Sequence, residues 1–296
     1  MSVPAERLRI DVDLVRRLIG AQFPAWAGLT VTRLAIGNDN RSFRLGDALL
    51  VRLPSAERYA PQAEKERRWL PYFARRLPLP IPTPLAIGEP GEAYPWRWQV
   101  LRWIEGDTAA AAVPERMRFA LDLADFLAAL QRIDAAGGPA AGPHSFWRGG
   151  PLAIYDGETR AAIAALAGRI EAVPATVMWE AALASPWAGP PVWFHGDVAP
   201  GNLIVRDGRL AAVIDFGCCG VGDPACDLVI AWTYLDSPAR AAFRAALPLD
   251  EATWTRARGW ALWKALIVLA QGPGHHDYAA QQRALGELMG EAAPRA

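Results

Sequence analysis

The stretch that most constrains this chain is residues 194–217, FHGDVAPGNLIVRDGRLAAVIDFG. Two apolar runs, LIV and LAAVI, flank the turn RDGR and read as a small hairpin, because Asp-Gly supplies the backbone freedom a tight turn needs. The polar residues stand at the ends of this unit: Asp197 ahead of it, Asn202 at its entry and Asp215 at its exit. A hairpin has no need of two carboxylates and an amide in those places. Phosphoryl chemistry does. One carboxylate can orient a hydroxyl and accept its proton, while a second carboxylate and an amide oxygen are the hard donors that Mg²⁺ prefers.

The rest of the composition narrows the classes open to the chain. With 296 residues, 52% of them hydrophobic, it can bury the core of one large domain or two modest ones. Thirty-one basic and 31 acidic side chains cancel, which argues against a nucleic-acid or anionic-membrane binder. The polar start MSVPAERLRIDVD lacks the apolar core of a secretory leader. The longest apolar candidate, WALWKALIVLA (260–270), is interrupted by Lys264 and falls short of the roughly 18–20 residues of a membrane span. Cys218, Cys219 and Cys226 have neither disulfide nor zinc-ligand spacing, so reduced thiols in a cytoplasmic protein are expected. The 13 tryptophans, WRW (96–98) and WALW (260–263) among them, are read as core and seam fillers before they are read as sugar platforms.

Along the chain, Val12, Val15, Leu18 and Ile19 follow a helical period after Asp11. Three strand-like stretches follow, 29–36, 41–45 and 48–53, joined by the turns Gly37-Asn38-Asp39-Asn40 and Gly46-Asp47. Residues 61–77 look helical, with Pro71 demanding a kink or break. The proline-rich run 77–85 is extended, and 96–104 completes a sheet of about five strands. Beyond IEGD (104–107) a helical stripe covers 115–134, and further helices are expected at 157–171, 225–236, 239–247, 252–271 and 278–291. The only strands expected there are VWF (192–194) and the hairpin. The fold class is therefore α+β and bilobal: residues 1–104 as a small β-sheet lobe with a helix, and 105–296 as a mostly helical lobe. A cleft between two such lobes is a natural ligand site.

The spacing H-G-D-x-x-x-x-N, an apolar hairpin and then I-D-F-G is the arrangement of kinase phosphoryl-transfer sites. Together with AVIDFGCCGVGDPACDL, it resembles the signature of the aminoglycoside phosphotransferase family, small-molecule kinases that share the protein-kinase-like fold. The resemblance covers most of the chain. GNDNRSFRLGDALLVRLP resembles the family's N-lobe hairpins, EKERRWLPYFARRLPLPIPTPL its N-lobe helix and extended strand, and VLRWIEGD the hinge.

That resemblance implies Asp197 as catalytic base, Asn202 and Asp215 as Mg²⁺ ligands, and His195 as a positioning residue. It implies that Asp227 braces the catalytic loop and caps the next helix. In the N-lobe it implies Arg52 on the α/β-phosphates, paired with Glu66, with Glu64 as a competing partner. Arg stands where the protein-kinase pattern has Lys, and it offers a bidentate fork in place of a point charge. The nucleobase of ATP or GTP would meet hinge backbone near Leu101 and Trp103. The turn GNDNRSF has one glycine in place of G-x-G-x-x-G, and no Walker A sequence is present. The partners expected are a nucleotide and a small hydroxylated substrate, without nucleic acid or membrane.

For the acceptor, an aminoglycoside-type antibiotic, and hence a role in resistance, is the leading expectation. A polycation would call for carboxylates such as Asp236, Asp250, Glu251, Asp277, Glu287 and Glu291. Nearby aromatics (Trp232, Tyr234, Trp254, Trp260, Trp263, Tyr278) equally admit a macrolide, and many of the acids can be solvated helix faces. A choline, homoserine or sugar kinase of the same fold, or a non-catalytic nucleotide-binding regulator, are the alternatives.

Overall fold

The computed structural model describes residues 9–34 and 39–292. The chain divides into two compact units, and each is built from a different kind of element. The first unit takes the chain to Gly106 and regains it over Ala212–Gly217; the second holds Asp107–Ala211 and the chain from Cys218 onward.

In the first unit, helix α1 (Val12–Gln22) starts where the Asp11 carboxylate accepts the Leu14 amide at 3.0 Å. Five antiparallel strands follow: β1 (Val31–Arg33), β2 (Asn40–Leu45), β3 (Leu49–Pro54), β4 (Pro84–Gly88) and β5 (Trp98–Arg102), in the order β1-β2-β3-β5-β4. The alternating residues Phe43, Leu45, Val51, Leu53, Trp98 and Val100 bury one face of the sheet against Val15, Leu18 and Ile19 of α1. Helix α2 (Ala60–Ala74) runs on past Pro71 for three residues, so of the expected kink or break the break does not occur. Leu70 and Phe73 on either side of it are fully buried, and that packing holds the last turn in place of the hydrogen bond proline cannot donate. Strand β1 is shorter than expected, and the tail of that stretch with the Gly37-Asn38 half of its turn lies outside the described residues.

The second unit is mainly helical. Its helices are α3 (Arg116–Gln131), α4 (Asp156–Ala165), α5 (Ala172–Leu183), α6 (Ile230–Thr233), α7 (Ser237–Ala246), α8 (Glu251–Ala270) and α9 (Tyr278–Ala292). Helix α5 escapes sequence reading because AVPATVMWEAAL is mostly apolar with no clear stripe: Val173 and Val177 face solvent while Ala175, Trp179 and Ala182 are buried. Helix α4 ends sooner than expected, shortly before Gly168 at φ +80°. The helix expected at 225–236 is a 3₁₀ segment, Pro224–Val229, followed by the single turn α6.

Two strands in this half were not expected from sequence: β6 (Asp107–Thr108) and β10 (Gly220–Gly222). The first pairs with β8 (Leu203–Arg206) and the second with β7 (Val192–Phe194). Both are too short to show alternation. β8 turns into β9 (Arg209–Val213) through Asp207 and Gly208, both at positive φ, as an Asp-Gly hairpin requires. Within β9 the chain passes from the second unit to the first and delivers Asp215 there.

Candidate active site

In the first unit, β3, α2 and the segment after β9 bring three of the expected residues together. The Arg52 guanidinium donates to Glu66 Oε1 at 3.0 Å and to Asp215 Oδ1 at 2.8 Å. Arg52 and Glu66 are buried, whereas the Asp215 side chain is 40% exposed. Burial alone would lower the Arg52 pKa, but the charges of Glu66 and Asp215 outweigh it and hold the guanidinium firmly protonated. The second oxygen of Glu66 accepts from Gln99 Nε2 at 3.0 Å, so both are engaged. Glu64 pairs instead with Arg67 and Arg97.

Gln62 was not singled out by sequence. Its Nε2 donates to Asp39 Oδ2 at 3.1 Å, and its buried Oε1 has no hydrogen-bond partner. That oxygen lies 3.0 Å from where a Cβ on Gly217 would stand, and Asp215 Oδ1 lies 3.3 Å from the same point. An orphaned oxygen and a carboxylate around a place only glycine leaves open fit a hydrated hard cation. Asp215 itself stands at φ +63°, a strained setting for a residue other than glycine.

Leu101 is buried in β5 between β3 and β4. The amides of Arg102 and Trp103 donate to Thr83 and Ala48 carbonyls at 3.2 and 2.8 Å. Both donors are thus spent within the sheet, and the first backbone amides past it belong to Ile104 and Glu105. The Trp103 indole, stacked under Arg44 at 3.7 Å, has a buried N–H without an acceptor.

In the second unit the loop after β7 is fixed from below by Asp227. Its two carboxylate oxygens accept the His195 and Gly196 amides, each at 2.7 Å. Burial raises the Asp227 pKa, against the opposing pull of His195 and these two amides. Gly196 is at φ +84°, and a Cβ there would come within 2.6 Å of the Cys218 carbonyl oxygen, so only glycine serves. His195 is fully buried, and its Nδ1 accepts the Asp197 amide at 3.2 Å. Asn202 Nδ2 donates to Asp197 Oδ2 at 2.8 Å and to the Asp197 carbonyl at 3.0 Å. This leaves Asp197 Oδ1 with no hydrogen-bond partner among the described residues, and it turns the Asn202 carbonyl oxygen away from Asp197.

The capping role expected of Asp227 falls to Asp223, which accepts the Ala225 amide at 3.0 Å. Asp223 also forms a buried bidentate pair with Arg256 of α8, at 2.7 and 3.2 Å. Arg256 gave no sequence signal, being one arginine among many on a helix. Cys226 is buried, and burial pushes its thiol well above the usual range. None of the three cysteines forms a disulfide.

Five of the six acids considered for a polycation have other occupations as helix caps or arginine partners, Asp277 being the exception. Asp236 and Asp250 cap α7 and α8. Glu251 pairs with Arg244 and Arg258, Glu287 with Arg240, and Glu291 with Arg240 and Arg258. A cavity of about 380 Å³ there is lined by Arg240, Arg244 and Arg258 against the single carboxylate of Glu291.

A model of the phosphotransferase enzyme family matches residues 30–262. No curated protein matches the chain. Among solved structures, the GDP and kanamycin complex of APH(2")-IIia is similar at TM-score 0.71 and 18% identity, over 94% of this chain and 97% of its own. The streptomycin-ATP-APH(2")-IIa ternary complex is similar at TM-score 0.59 and 19% identity, over 96% and 97%. The apoenzyme of macrolide 2'-phosphotransferase MphH from Brachybacterium faecium is similar at TM-score 0.62 and 24% identity, over 93% and 98%.

Proposed function

The chain belongs to the phosphotransferase enzyme family, and on that footing we propose that it transfers the γ-phosphoryl group of ATP or GTP to a hydroxyl of a small molecule, with Asp197 as base. The observation that carries the assignment is the Asp197 carboxylate. One oxygen is held by Asn202 at 2.8 Å and the other is open to receive a proton.

In the proposed reaction Asp197 orients the acceptor hydroxyl and takes its proton as the oxygen attacks the γ-phosphorus. The bond from that phosphorus to the bridging oxygen breaks, and the nucleoside diphosphate leaves with the electron pair. Arg52 holds the α/β-phosphates, with Glu66 fixing its fork. The nucleobase is assigned to backbone from Trp103 onward, in the stretch Ile104–Gly106 past the spent amides. Asn202 and Asp215 are the proposed Mg²⁺ ligands, with Gln62 beside Asp215. Mg²⁺, when bound, supplies charge neutralisation between the phosphates. Asp227 and Gly196 keep the base in position throughout.

For the acceptor, an aminoglycoside-type antibiotic follows from the family resemblance. A metabolic small-molecule kinase is favoured by the pairing of Glu251, Glu287 and Glu291 with arginines, which leaves no excess negative charge for a polycation. The test is phosphoryl transfer by Asp197→Ala and Asp215→Ala proteins. Both should be inactive, and turnover retained in either sinks the assignment.

A further inference from the structure

While the acids of α7–α9 are spent on arginines, Arg148 of the same unit has no acid and differs from the unit's other unpaired arginines in lying within an aromatic cluster. Arg148 follows a loop that is expensively built. Phe146 and Trp147 stand at φ 49° and 58°, left-handed settings that cost about 1–3 kcal/mol each in residues other than glycine. Hydrogen bonds from the Phe146 amide to the Pro143 carbonyl (3.1 Å) and from the Trp147 amide to the Gly142 carbonyl (2.9 Å) hold them, and the Tyr155 hydroxyl donates to the Phe146 carbonyl. The next residue, Gly149, is locked onto the catalytic scaffold. Its carbonyl accepts the Asp223 amide at 2.8 Å, and a Cβ on it would stand 2.1 Å from the Phe194 ring, one residue before His195. The loop therefore fixes Arg148 to the framework that holds Asp197.

The half-buried Arg148 guanidinium stacks 4.9 Å from the Trp263 ring and 6.0 Å from the Trp260 ring. Tyr155 closes the cluster, 4.3 Å from Trp263 and 5.5 Å from Trp260. Arg148 donates to the Phe146 carbonyl at 3.3 Å, and no carboxylate oxygen lies within 4.0 Å of it among the described residues. The nearby carboxylate of Glu158 is taken by the Trp263 indole N–H. In the same cluster Trp260, 1% exposed, has an indole N–H with no acceptor. Stacking covers the face of a guanidinium and leaves its N–H edge for a planar oxyanion; here part of that edge meets the Phe146 carbonyl and the Tyr155 hydroxyl, neither of them charged. A cation without a carboxylate partner and an orphaned donor in one aromatic cluster both call for oxygen acceptors.

We propose that Arg148, backed by Tyr155, Trp260 and Trp263, binds a carboxylate of the acceptor, so that the substrate class is a hydroxylated carboxylic acid with an apolar or planar body. This rests on the kinase reading above for its place in the reaction, and on geometry alone for the carboxylate. The test is calorimetric titration of the full-length protein with 3-phenyllactate, an aromatic hydroxy acid, and separately with kanamycin. Wild type is expected to bind phenyllactate and give no heat with kanamycin. Arg148→Gln is expected to weaken phenyllactate binding at least tenfold, and Arg148→Lys to keep part of it with an unchanged circular-dichroism spectrum. Absence of phenyllactate binding to wild type, equal binding by Arg148→Gln, or tighter binding of kanamycin overturns the proposal. Mg²⁺-dependent nucleotide hydrolysis without acceptor, and its loss in Asp215→Ala, is read in parallel. Failure there overturns the kinase reading and leaves the carboxylate result to stand or fall by itself.

Discussion

A base is useful only if its proton-accepting oxygen is left open while the rest of the group is held still. Asp197 meets both conditions, because Asn202 holds Oδ2 and the loop amides below are tied to Asp227. Asp197→Asn keeps the shape and removes the basicity. It is expected to lower kcat about 10²–10⁴-fold with nucleotide affinity little changed, as steady-state kinetics and a nucleotide titration will read. Arg52 makes a different demand, since one planar fork spans Glu66 and Asp215. Arg52→Lys should raise the KM for nucleotide and lower kcat together, because an ammonium cannot hold both carboxylates in that geometry. The residues proposed for the chemistry were the most legible in the sequence, where H-G-D-x-x-x-x-N and D-F-G mark them. Gln62 and Arg256 were not, because each acts through a partner far away in sequence, Asp39 and Asp223 respectively.

At the scale of elements, α8 stands on its cap and on a buried ion pair. Arg256 and Asp223 are each about 5% exposed, and they tie α8 to the segment that carries Asp227. Arg256→Ala leaves a buried carboxylate without its partner and should cost about 3–5 kcal/mol, measured as a fall in the denaturant midpoint. The start of α8 gives a pH prediction. The Thr253 hydroxyl and amide hold the Asp250 carboxyl below the usual aspartate range. Such a group stabilises the folded state above its unfolded pKa of about 3.9, and that contribution is lost as pH falls through the depressed folded value. Asp250→Asn should therefore lower the melting temperature at neutral pH, where that contribution is present, and flatten its decline below about pH 4. Element types could be read where a face alternates or a stripe repeats, as in β2, β3 and α3. The reading failed at α5, where a mostly apolar helix has no clear stripe, and at β6 and β10, which are too short to have a period. At Pro71, where a kink or break was expected, the helix does not break, because burial of Leu70 and Phe73 outweighs what proline does to an isolated helix.

At the scale of the whole molecule, the chain is a phosphotransferase by family, with a five-stranded antiparallel sheet in one unit and a mainly helical second unit. Among the described residues no helix is long and apolar enough to cross a membrane. The fold was legible because the motif at 194–217 belongs to one architecture, and its surroundings had to supply a sheet before it and helices after it. The acceptor was not legible, because charge counts do not reveal which acids are already paired. Glu251, Glu287 and Glu291 looked like a polycation pocket in the sequence and are salt-bridged in the structure. A ligand that binds only the folded chain stabilises it, so Mg²⁺ with ATP or GTP at about a hundred times Kd should add about 2.7 kcal/mol, visible as a rise in melting temperature. The most direct measurement is mass spectrometry of the products formed with Mg²⁺-nucleotide from a mixed panel of aminoglycosides, macrolides, hydroxy acids and other metabolites. Wild type should add one phosphoryl group to an acceptor hydroxyl, and Asp197→Ala and Asp215→Ala should add none; a phosphorylated product from either variant would contradict the account.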